Sequence, residues 1–533
     1  MFADTGNPLS KIRWKKSKNR SAKLSGMNDD QNEVLAFLAD PATYGGADVT
    51  RIDTHAASVF LAGERALKIK RAVRFPFLDY SSLEKRKHAC EAELAVNAPF
   101  APEIYRRVLP ITRETDGRLA LGGNGSPIEW AVEMRRFNES RTLDHLAGEI
   151  DAGLADALGQ AVAQAHARAQ PVAAAPWIAA LGAYIDEHVE AFQQYPAIFT
   201  LAEVDGFTRS SRASYARIVP LLQERGRRGL IRRIHGDLHL GNIVLIEGKP
   251  ILFDAIEFSD LIASGDVLYD LAFLLMDLLE RGLSEAANIV LNRYLAETRR
   301  SDDLDGLATL PLFLAMRAAI RAKVTLARME RAAEAKRGAI AKSARAYFAF
   351  AERAIAPPSP KLIAIGGLSG TGKTRLARVL APRIGPMPGA VIVRSDIERK
   401  ALFGAAATER LPEQAYAPAV TERVYGVLVD KARRIVSAGH AAIVDAVFAR
   451  PDERAAIAAV GRSTSVRLQG LFLAADLATR LARVGTRAAD ASDAGEEVAR
   501  AQQNYDVGPL EWRPIDASGT IEETAALARA ALD

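Results

Sequence analysis

Cysteine is almost absent from this chain of 533 residues, in which Cys90 is the only one. A single cysteine excludes an intrachain disulfide, and it excludes the cysteine-rich zinc sites of small structural modules. Proteins without structural disulfides are typical of reducing compartments. The scarcity of cysteine therefore predicts a cytoplasmic protein.

Long hydrophobic runs are also missing, since no segment reaches the roughly 18 apolar residues that a membrane-spanning helix needs. The most apolar stretch, 268–279, is interrupted by Asp270 and Asp277. Hydrophobic residues make up 49% of the chain and charged residues 25%, which is typical of globular proteins. We therefore expect a soluble protein of at least two domains, with no membrane partner.

A net basic charge is lacking from most of the chain, although the formal net charge of the whole chain is +5. Residues 1–26 hold seven Lys and Arg against one Asp, which leaves a net charge of −1 for the rest. Nucleic-acid-binding domains usually carry basic patches on their folded surface. We therefore predict a disordered extension over 1–26 and expect no nucleic-acid partner.

A proline-rich segment, 356–360, divides the chain, because proline cannot continue a helix. The pattern predicts one domain over 27–355 and a second over 361–533. In the first domain it predicts strands at 59–62, 65–70, 104–109, 118–121 and 129–135, and a helix at 82–96. Further helices are predicted at 150–170, 174–192, 268–298 and 308–355, around a β-rich island at 231–258.

The β-rich island carries the polar residues of a phosphoryl-transfer site. His-Gly-Asp-Leu-His-Leu-Gly-Asn spans 235–242, and the following pair of strands ends in Asp254. Phosphoryl transfer needs one carboxylate to orient or deprotonate the acceptor hydroxyl, and oxygen ligands for magnesium on the nucleotide. Asp237, Asn242 and Asp254 fit these tasks, and a hairpin would return Asp254 to the same cleft.

Residues 235–242 resemble the HGDxHxxN signature of the aminoglycoside and choline phosphotransferases, a family related to protein kinases. The resemblance implies an α+β domain with a small β-rich lobe and a helical large lobe. It also implies that Asp237 is the catalytic base and that Asn242 and Asp254 bind magnesium. No GxGxxG precedes the site, and Ala-Ile rather than Phe-Gly follows Asp254, so we expect a small-molecule acceptor and not a protein.

The same resemblance implies a strand lysine, paired with a helix glutamate, that holds the nucleotide phosphates. The family places this lysine on the third strand of the small lobe. Lys68 on the predicted strand 65–70 and Glu91 on the following helix are our preferred pair. Lys70 and Glu93 remain open as alternatives, because residues i and i+2 of a strand share a face.

A second nucleotide motif follows the proline-rich segment. The apolar strand 362–366 leads into Gly-Leu-Ser-Gly-Thr-Gly-Lys-Thr at 367–374, a complete Walker A motif that opens a helix. Backbone amides of such a loop wrap phosphate oxygens, while the lysine reaches the terminal phosphates and the threonine binds magnesium. The predicted ATP-binding residues are Gly367, Ser369, Gly370, Thr371, Gly372, Lys373 and Thr374.

Two later strands of this second domain end in carboxylates, Asp396 and Asp445. Parallel α/β sheets bind ligands at the carboxyl ends of their strands, so both residues should lie at the nucleotide edge. The segment 361–533 resembles P-loop kinases of the adenylate, gluconate and chloramphenicol type. That resemblance implies that Asp396 orients or deprotonates the acceptor and that Asp445 holds magnesium through water.

Three arginines at helical spacing, Arg480, Arg483 and Arg487, follow a predicted strand at 470–473. Guanidinium groups at this spacing are typical of a lid that closes over transferred phosphates. We predict that Arg483 and Arg487 bind nucleotide, and a solvated arginine face is the alternative.

The two halves together resemble proteins described as bifunctional aminoglycoside phosphotransferase and ATP-binding proteins. The resemblance implies ATP- and Mg²⁺-dependent transfer of a phosphoryl group to a hydroxyl of a small molecule, with a second ATP site of the P-loop kinase type. The alternative is a nucleotide-regulated binding protein without turnover of a small molecule.

Overall fold

The computed structural model describes residues 29–54, 56–75, 78–329, 332–406, 408–485, 492–493 and 495–532. The predicted extension 1–26 lies outside these ranges. The chain divides into two compact units. The first contains the described residues up to Leu146 with His235–Asp237 and Gly241–Ala263, and the second contains Ala147–Ile234, Leu238–Leu240 and the described residues from Ser264 onward. No helix in the described ranges has the length and apolar character needed to cross a membrane.

The first unit is built on an antiparallel sheet of six strands. These are β1 Val49–Asp53, β2 Ala57–Ala62, β3 Arg65–Lys70, β6 Tyr105–Arg113, β7 Leu119–Leu121 and β8 Ser126–Arg135. Their order in the sheet is β1-β2-β3-β8-β6-β7. Two short strands, β4 Arg74–Phe75 and β5 Leu78–Asp79, pair separately, as do β10 Ile243–Ile246 and β11 Lys249–Leu252.

Alternation along β3 determines what each face of the sheet contacts. Leu67 and Ile69 pack in the core that includes helix α1 (Asp29–Ala39). Ala66 packs on the other face, in a core shared with Cys90 of helix α2 (Leu83–Asn97). Lys68 and Lys70 alternate with Leu67 and Ile69, so both lysines lie on the α2 face.

The hairpin of β10 and β11 belongs to the α2 face of the sheet. Val244 lies in the same core as Ala66 and Cys90. Glu247 and Gly248 form the hairpin turn with φ of 52° and 76°, the left-handed values that a two-residue hairpin turn of type I′ requires. The sequence prediction of a hairpin between Asn242 and Asp254 is therefore confirmed.

The second unit begins with the helical region predicted from the sequence. Its helices are α3 Ala152–Arg168, α4 Ala174–Gln193, α5 Leu201–Arg227, α6 Val267–Glu280, α7 Ser284–Thr298, α8 Ser301–Asp305, α9 Leu310–Ala327 and α10 Glu334–Ile355. The antiparallel strands β9 Ile231–Arg233 and β12 Ser264–Asp266 pair between them. The segments 268–298 and 308–355, each predicted as one helical stretch, are each two helices.

The rest of the second unit is a parallel sheet covered by helices. Its strands are β13 Leu362–Gly367, β14 Val391–Arg394, β15 Ala442–Asp445, β16 Leu468–Ala474 and β17 Arg513–Asp516, in the order β14-β15-β13-β16-β17. Its helices are α11 Lys373–Leu380, α12 Ser395–Leu402, α13 Pro418–Ser437, α14 Pro451–Thr464, α15 Leu477–Gly485, α16 Glu496–Ala501 and α17 Ile521–Leu532. The predicted fold class, a kinase-like domain followed by a P-loop α/β domain, is confirmed.

Helix α7 covers the β14 edge of the parallel sheet. The side chain of Asn292 accepts a hydrogen bond from the Ile392 amide (2.7 Å) and donates one to the Ala390 carbonyl (3.2 Å). Asn288, which is buried, also donates to the Ala390 carbonyl (3.0 Å). Two asparagine side chains thus satisfy backbone groups that an edge strand would otherwise leave without protein partners.

Candidate functional site

The hairpin brings together the three polar residues that the sequence predicts for phosphoryl transfer. The Asn242 amide donates to the Asp237 carboxylate (3.1 Å) and to the Asp237 carbonyl (3.0 Å). Asp254 follows β11 at the same end of the hairpin, where the Phe253 amide donates to the Asn242 carbonyl (3.0 Å). The Asp237 carboxylate is thereby oriented by the Asn242 amide, and the carboxylate of Asp254 lies just after the neighbouring strand.

The loop before β10 is held by backbone contacts. The ring of His235 donates through Nε2 to the Phe253 carbonyl (2.9 Å), and it packs edge-on against Phe100. Gly236 has a φ of +84°, and a Cβ at this position would lie 3.1 Å from the side chain of Ile256. His235 therefore packs the loop, and glycine gives the turn that leads into Asp237.

Asp254 has an unusual backbone conformation, with a φ of +61° that non-glycine residues rarely adopt. Its amide donates to the hydroxyl of Tyr105 (3.2 Å). The next residue, Ala255, exchanges two hydrogen bonds with the side chain of Asn97 on α2 (2.7 and 3.2 Å). These contacts hold the strained conformation in place, which is typical of functional sites.

The carboxylate of Asp254 pairs with Lys68 of β3 (3.0 Å), and Lys68 also pairs with Glu93 of α2 (2.8 Å). Glu93 is completely buried, whereas the side chain of Glu91 is 53% exposed and pairs with Lys87. The structure therefore corrects the expected partner of Lys68 from Glu91 to Glu93. The reason is geometric, because two helix residues differ by about 200° in direction and only one can face the sheet.

Charge, rather than burial, controls the ionisation of this pair. Burial alone would raise the pKa of Glu93, but Lys68 and Lys70 lower it to about 2. Burial alone would lower the pKa of Lys68, but Asp254 and Glu93 raise it well above its ordinary value. Both groups are therefore charged at neutral pH.

The donor set around Asp237 fits a magnesium ion. Asp254, Asn242 and Asp237 offer oxygen atoms, which Mg²⁺ prefers, and the Asn242 amide nitrogen is already used on Asp237. Within the described ranges, no three His, Cys, Asp or Glu side chains cluster closely enough to hold a metal by themselves. That is compatible with magnesium sites that one or two carboxylates complete with substrate phosphates.

The Walker A motif has the strand-loop-helix geometry that phosphate binding requires. β13 ends at Gly367, and α11 begins at Lys373. Gly370 has a φ of +87°, and a Cβ at Gly370 would lie 2.5 Å from the backbone oxygen of Arg480. The predicted residues Ser369, Thr371 and Gly372 lie in the loop between β13 and α11. The helix that follows this loop favours the binding of phosphate at its N-terminus.

Three of the predicted groups of the P-loop domain lie close together. The Thr374 hydroxyl donates to the Asp445 carboxylate (2.6 Å), and Arg394 lies 3.5 Å from the same oxygen. Burial and the charge of Asp445 raise the pKa of Asp396. β15 ends at Asp445 as predicted, whereas β14 ends at Arg394 rather than at Asp396, which lies in the first turn of α12. Lys373 donates to a carbonyl of the loop.

The arginines of α15 are bound to backbone oxygens. Arg480 is buried and donates to the carbonyls of Ser369 (2.8 Å) and Ala499 (2.9 Å). Arg483 donates to the carbonyls of Ala517 (2.6 Å) and Gly519 (2.7 Å). The expected lid role of Arg483 is therefore corrected, because its guanidinium is held by the loop after β17. Arg487 lies outside the described residues.

Three further residues contact the two sites and were not predicted from the sequence. Glu257 pairs with Lys70 beside Glu93, Arg394 pairs with Asp445, and Gln502 accepts a hydrogen bond from the Ser369 amide (2.7 Å). Arg394 lies two residues before Asp396 in the strand predicted to end there, which was an available signal. Glu257 and Gln502 are recognised only from their contacts.

Two family models match the chain. Residues 64–307 match the phosphotransferase enzyme family, and residues 362–506 match the AAA domain family. Uncharacterized proteins of Mycobacterium tuberculosis and Mycobacterium bovis are 29% identical over 493 residues, which is 89% of this chain and 93% of each relative.

Solved structures resemble parts of the chain. A choline/ethanolamine kinase family protein from Mesorhizobium loti is 16% identical, with a TM-score of 0.36, over 61% of this chain and 99% of that protein. A gluconokinase from Sinorhizobium meliloti is 16% identical, with a TM-score of 0.24, over 33% of this chain and 93% of that protein. The match to the phosphotransferase enzyme family covers the motif at 235–242, and the match to the AAA domain covers the Walker A motif at 367–374.

Proposed function

We propose that this protein is an ATP- and magnesium-dependent phosphotransferase that acts on a hydroxyl of a small molecule. One observation carries the proposal. The Asn242 amide orients the Asp237 carboxylate at the end of a hairpin where Asp254 also lies, and Lys68 links Asp254 to Glu93. The match to the phosphotransferase enzyme family supports it.

Each residue of the proposed site has a task in the transfer. Asp237 orients the acceptor hydroxyl and takes its proton as the hydroxyl oxygen forms a bond to the γ-phosphorus. The bond from the γ-phosphorus to the bridging oxygen breaks, and ADP leaves with that electron pair. Lys68 would hold nucleotide phosphates, while Asn242 and Asp254 would hold magnesium. A bound magnesium ion would neutralise phosphate charge.

The P-loop domain would provide a second nucleotide site of the kinase type. Amides of the loop 367–374 and Lys373 would hold the phosphates, and Thr374 and Asp445 would hold magnesium. Asp396 would orient or deprotonate a second acceptor, and its raised pKa suits a group that must accept a proton. We assign the two proposed activities to residues 27–355 and 361–533.

The test is ADP release from Mg-ATP in the presence of a library of hydroxylated metabolites and aminoglycosides. We expect an acceptor that stimulates the wild-type protein. Asp237→Asn should lower that stimulated rate by about 10²–10⁴-fold, because general-base catalysis is worth roughly that factor. Lys373→Ala would remove only turnover that belongs to the P-loop domain.

Two outcomes would contradict the proposal. One is an Asp237→Asn variant that keeps the full acceptor-dependent rate. The other is a wild-type protein that binds Mg-ATP while no acceptor raises ADP release, which would favour a nucleotide-regulated binding protein.

A further inference from the structure

A second lysine, Lys70, lies beside the pair of Lys68 and Glu93 and has no task in the proposed transfer. Lys70 is buried, and its ammonium contacts the second carboxylate oxygen of Glu93 (2.6 Å). It also contacts the carboxylate of Glu257 at very short range. Tyr80 borders the same carboxylate, with its hydroxyl 3.5 Å from Glu257.

Five charged groups of alternating sign therefore form one row of ion pairs, which runs from Asp254 to Lys68, then Glu93, Lys70 and Glu257. Glu93 is the centre of this row, since each of its carboxylate oxygens contacts a different lysine. Removing one member of a buried ion pair leaves an uncompensated charge, which is strongly unfavourable. Each interior member of the row thus depends on two neighbours.

The row attaches the segment 254–257 to the sheet and to α2 at both of its ends. Asp254 is attached through Lys68, and Glu257 is attached through Lys70. Between them, Ala255 is hydrogen-bonded to Asn97 of α2. The left-handed backbone of Asp254 is therefore held from both sides, and Lys70 and Glu257 provide the attachment that does not involve Lys68.

This arrangement matters once Lys68 binds phosphate. A lysine that turns toward nucleotide weakens its contacts with Glu93 and Asp254. Glu93 then keeps its contact with Lys70, and the segment 254–257 keeps its contact through Glu257. Neither the charge of Glu93 nor the backbone of Asp254 depends on Lys68 alone.

We propose that Lys70 and Glu257 are positioning residues of the nucleotide site, which hold Glu93 and the Asp254 segment in place while Lys68 binds phosphate. The inference rests on the proposed function, because it assigns the segment its role in holding Mg-ATP. Residues that orient metal ligands typically change metal affinity roughly 10- to 100-fold when they are replaced.

The test measures ATP affinity by calorimetry, with Mg²⁺ and with EDTA. It uses the full chain with Lys373→Ala, so that the P-loop site does not contribute to ATP binding. Glu257→Gln and Lys70→Met are added to this background. We expect each to weaken Mg-ATP binding roughly 10- to 100-fold and to change binding of metal-free ATP much less. Lys70→Arg should restore part of the Mg-ATP affinity, and Lys87→Met, a partly exposed lysine of α2, should change neither affinity.

Melting temperatures measured without nucleotide distinguish a loss of positioning from a loss of folding stability. If Lys70→Met does not fold, Glu257→Gln decides, because it keeps the shape of the side chain. Equal losses of Mg-ATP and metal-free ATP binding would overturn the positioning role, as would a folded Glu257→Gln variant with unchanged affinity. If the Lys373→Ala protein binds no Mg-ATP at all, the phosphotransferase assignment falls and the positioning role falls with it.

Discussion

At the scale of single residues, the choice between Glu91 and Glu93 can be tested directly. Glu93 is buried between two lysines, whereas Glu91 is exposed. Glu93→Gln removes the charge that both lysines share, so we expect a loss of about 3–5 kcal/mol in the free energy of unfolding. Glu91→Gln, the matched control, should leave stability and Mg-ATP affinity unchanged. Equal effects in chemical denaturation would contradict this assignment.

A buried histidine predicts how stability depends on pH. Burial lowers the pKa of His440 from 6.5 to about 4, although its hydrogen bond to the Gly389 carbonyl opposes the shift. Between these values the unfolded chain binds the proton and the folded chain does not. Stability contributed by neutral His440 is therefore complete above pH 6.5 and is lost as pH falls to 4, by up to about 3 kcal/mol.

The measurement for His440 is urea unfolding at several pH values between 4 and 7. His440→Gln should flatten the fall in stability at low pH, because glutamine does not titrate and can still donate to the Gly389 carbonyl. His88→Gln is the control, since His88 is exposed. A His440→Gln protein with the same pH dependence as the wild type would contradict the prediction.

Individual site residues differ in how well the sequence predicts them. Asp237, Asn242 and Asp254 follow from local spacing, because they are separated only by a loop and one turn. Lys68 was preferred over Lys70 only through the family resemblance, since both residues lie on the same face of one strand. Glu93 could not be chosen over Glu91, because the rotation of α2 about its axis depends on packing against the sheet. Glu257 was missed because its partner, Lys70, is 187 residues away in the chain.

At the scale of elements, the contact between α7 and the edge strand β14 is a specific prediction. Asn292→Ala would leave the Ile392 amide and the Ala390 carbonyl each without this partner. We expect a loss of about 1–3 kcal/mol in the free energy of unfolding. Asn292→Asp should lose less, since it still accepts from the Ile392 amide.

The control for this contact is Glu285→Ala, because Glu285 is an exposed residue of the same helix. The readout is thermal and urea unfolding of the full chain. Unchanged stability in Asn292→Ala would show that the hydrogen bonds of this side chain are replaced by water at no cost.

Helix α5 was not predicted from the sequence, and its composition shows why. Its buried face includes Ser211, Ser214 and Arg225 among apolar residues, and Pro220 lies within the helix. Small polar residues on the buried face hide the apolar repeat by which amphipathic helices are recognised. By contrast, the strand and loop of the P-loop motif are predicted accurately, because glycine spacing and an apolar strand both indicate them.

At the scale of the whole molecule, each of the two compact units is formed by segments that are not continuous in sequence. The segments His235–Asp237 and Gly241–Ala263 belong to the unit of the antiparallel sheet, although the helices before and after them belong to the other unit. The proline-rich segment 356–360 gave no indication of this division. Sequence patterns report local structure, whereas compact units depend on contacts between residues that are distant in the chain.

We propose that one chain carries two separate ATP sites, one in each of the segments 27–355 and 361–533. The most direct test is the number of Mg-ATP molecules bound per chain, measured by equilibrium dialysis with labelled ATP. We predict two for the wild type, one for Lys68→Met, one for Lys373→Ala and none for the double variant. A wild type that binds one molecule, with Lys68→Met indistinguishable from it, would contradict the claim.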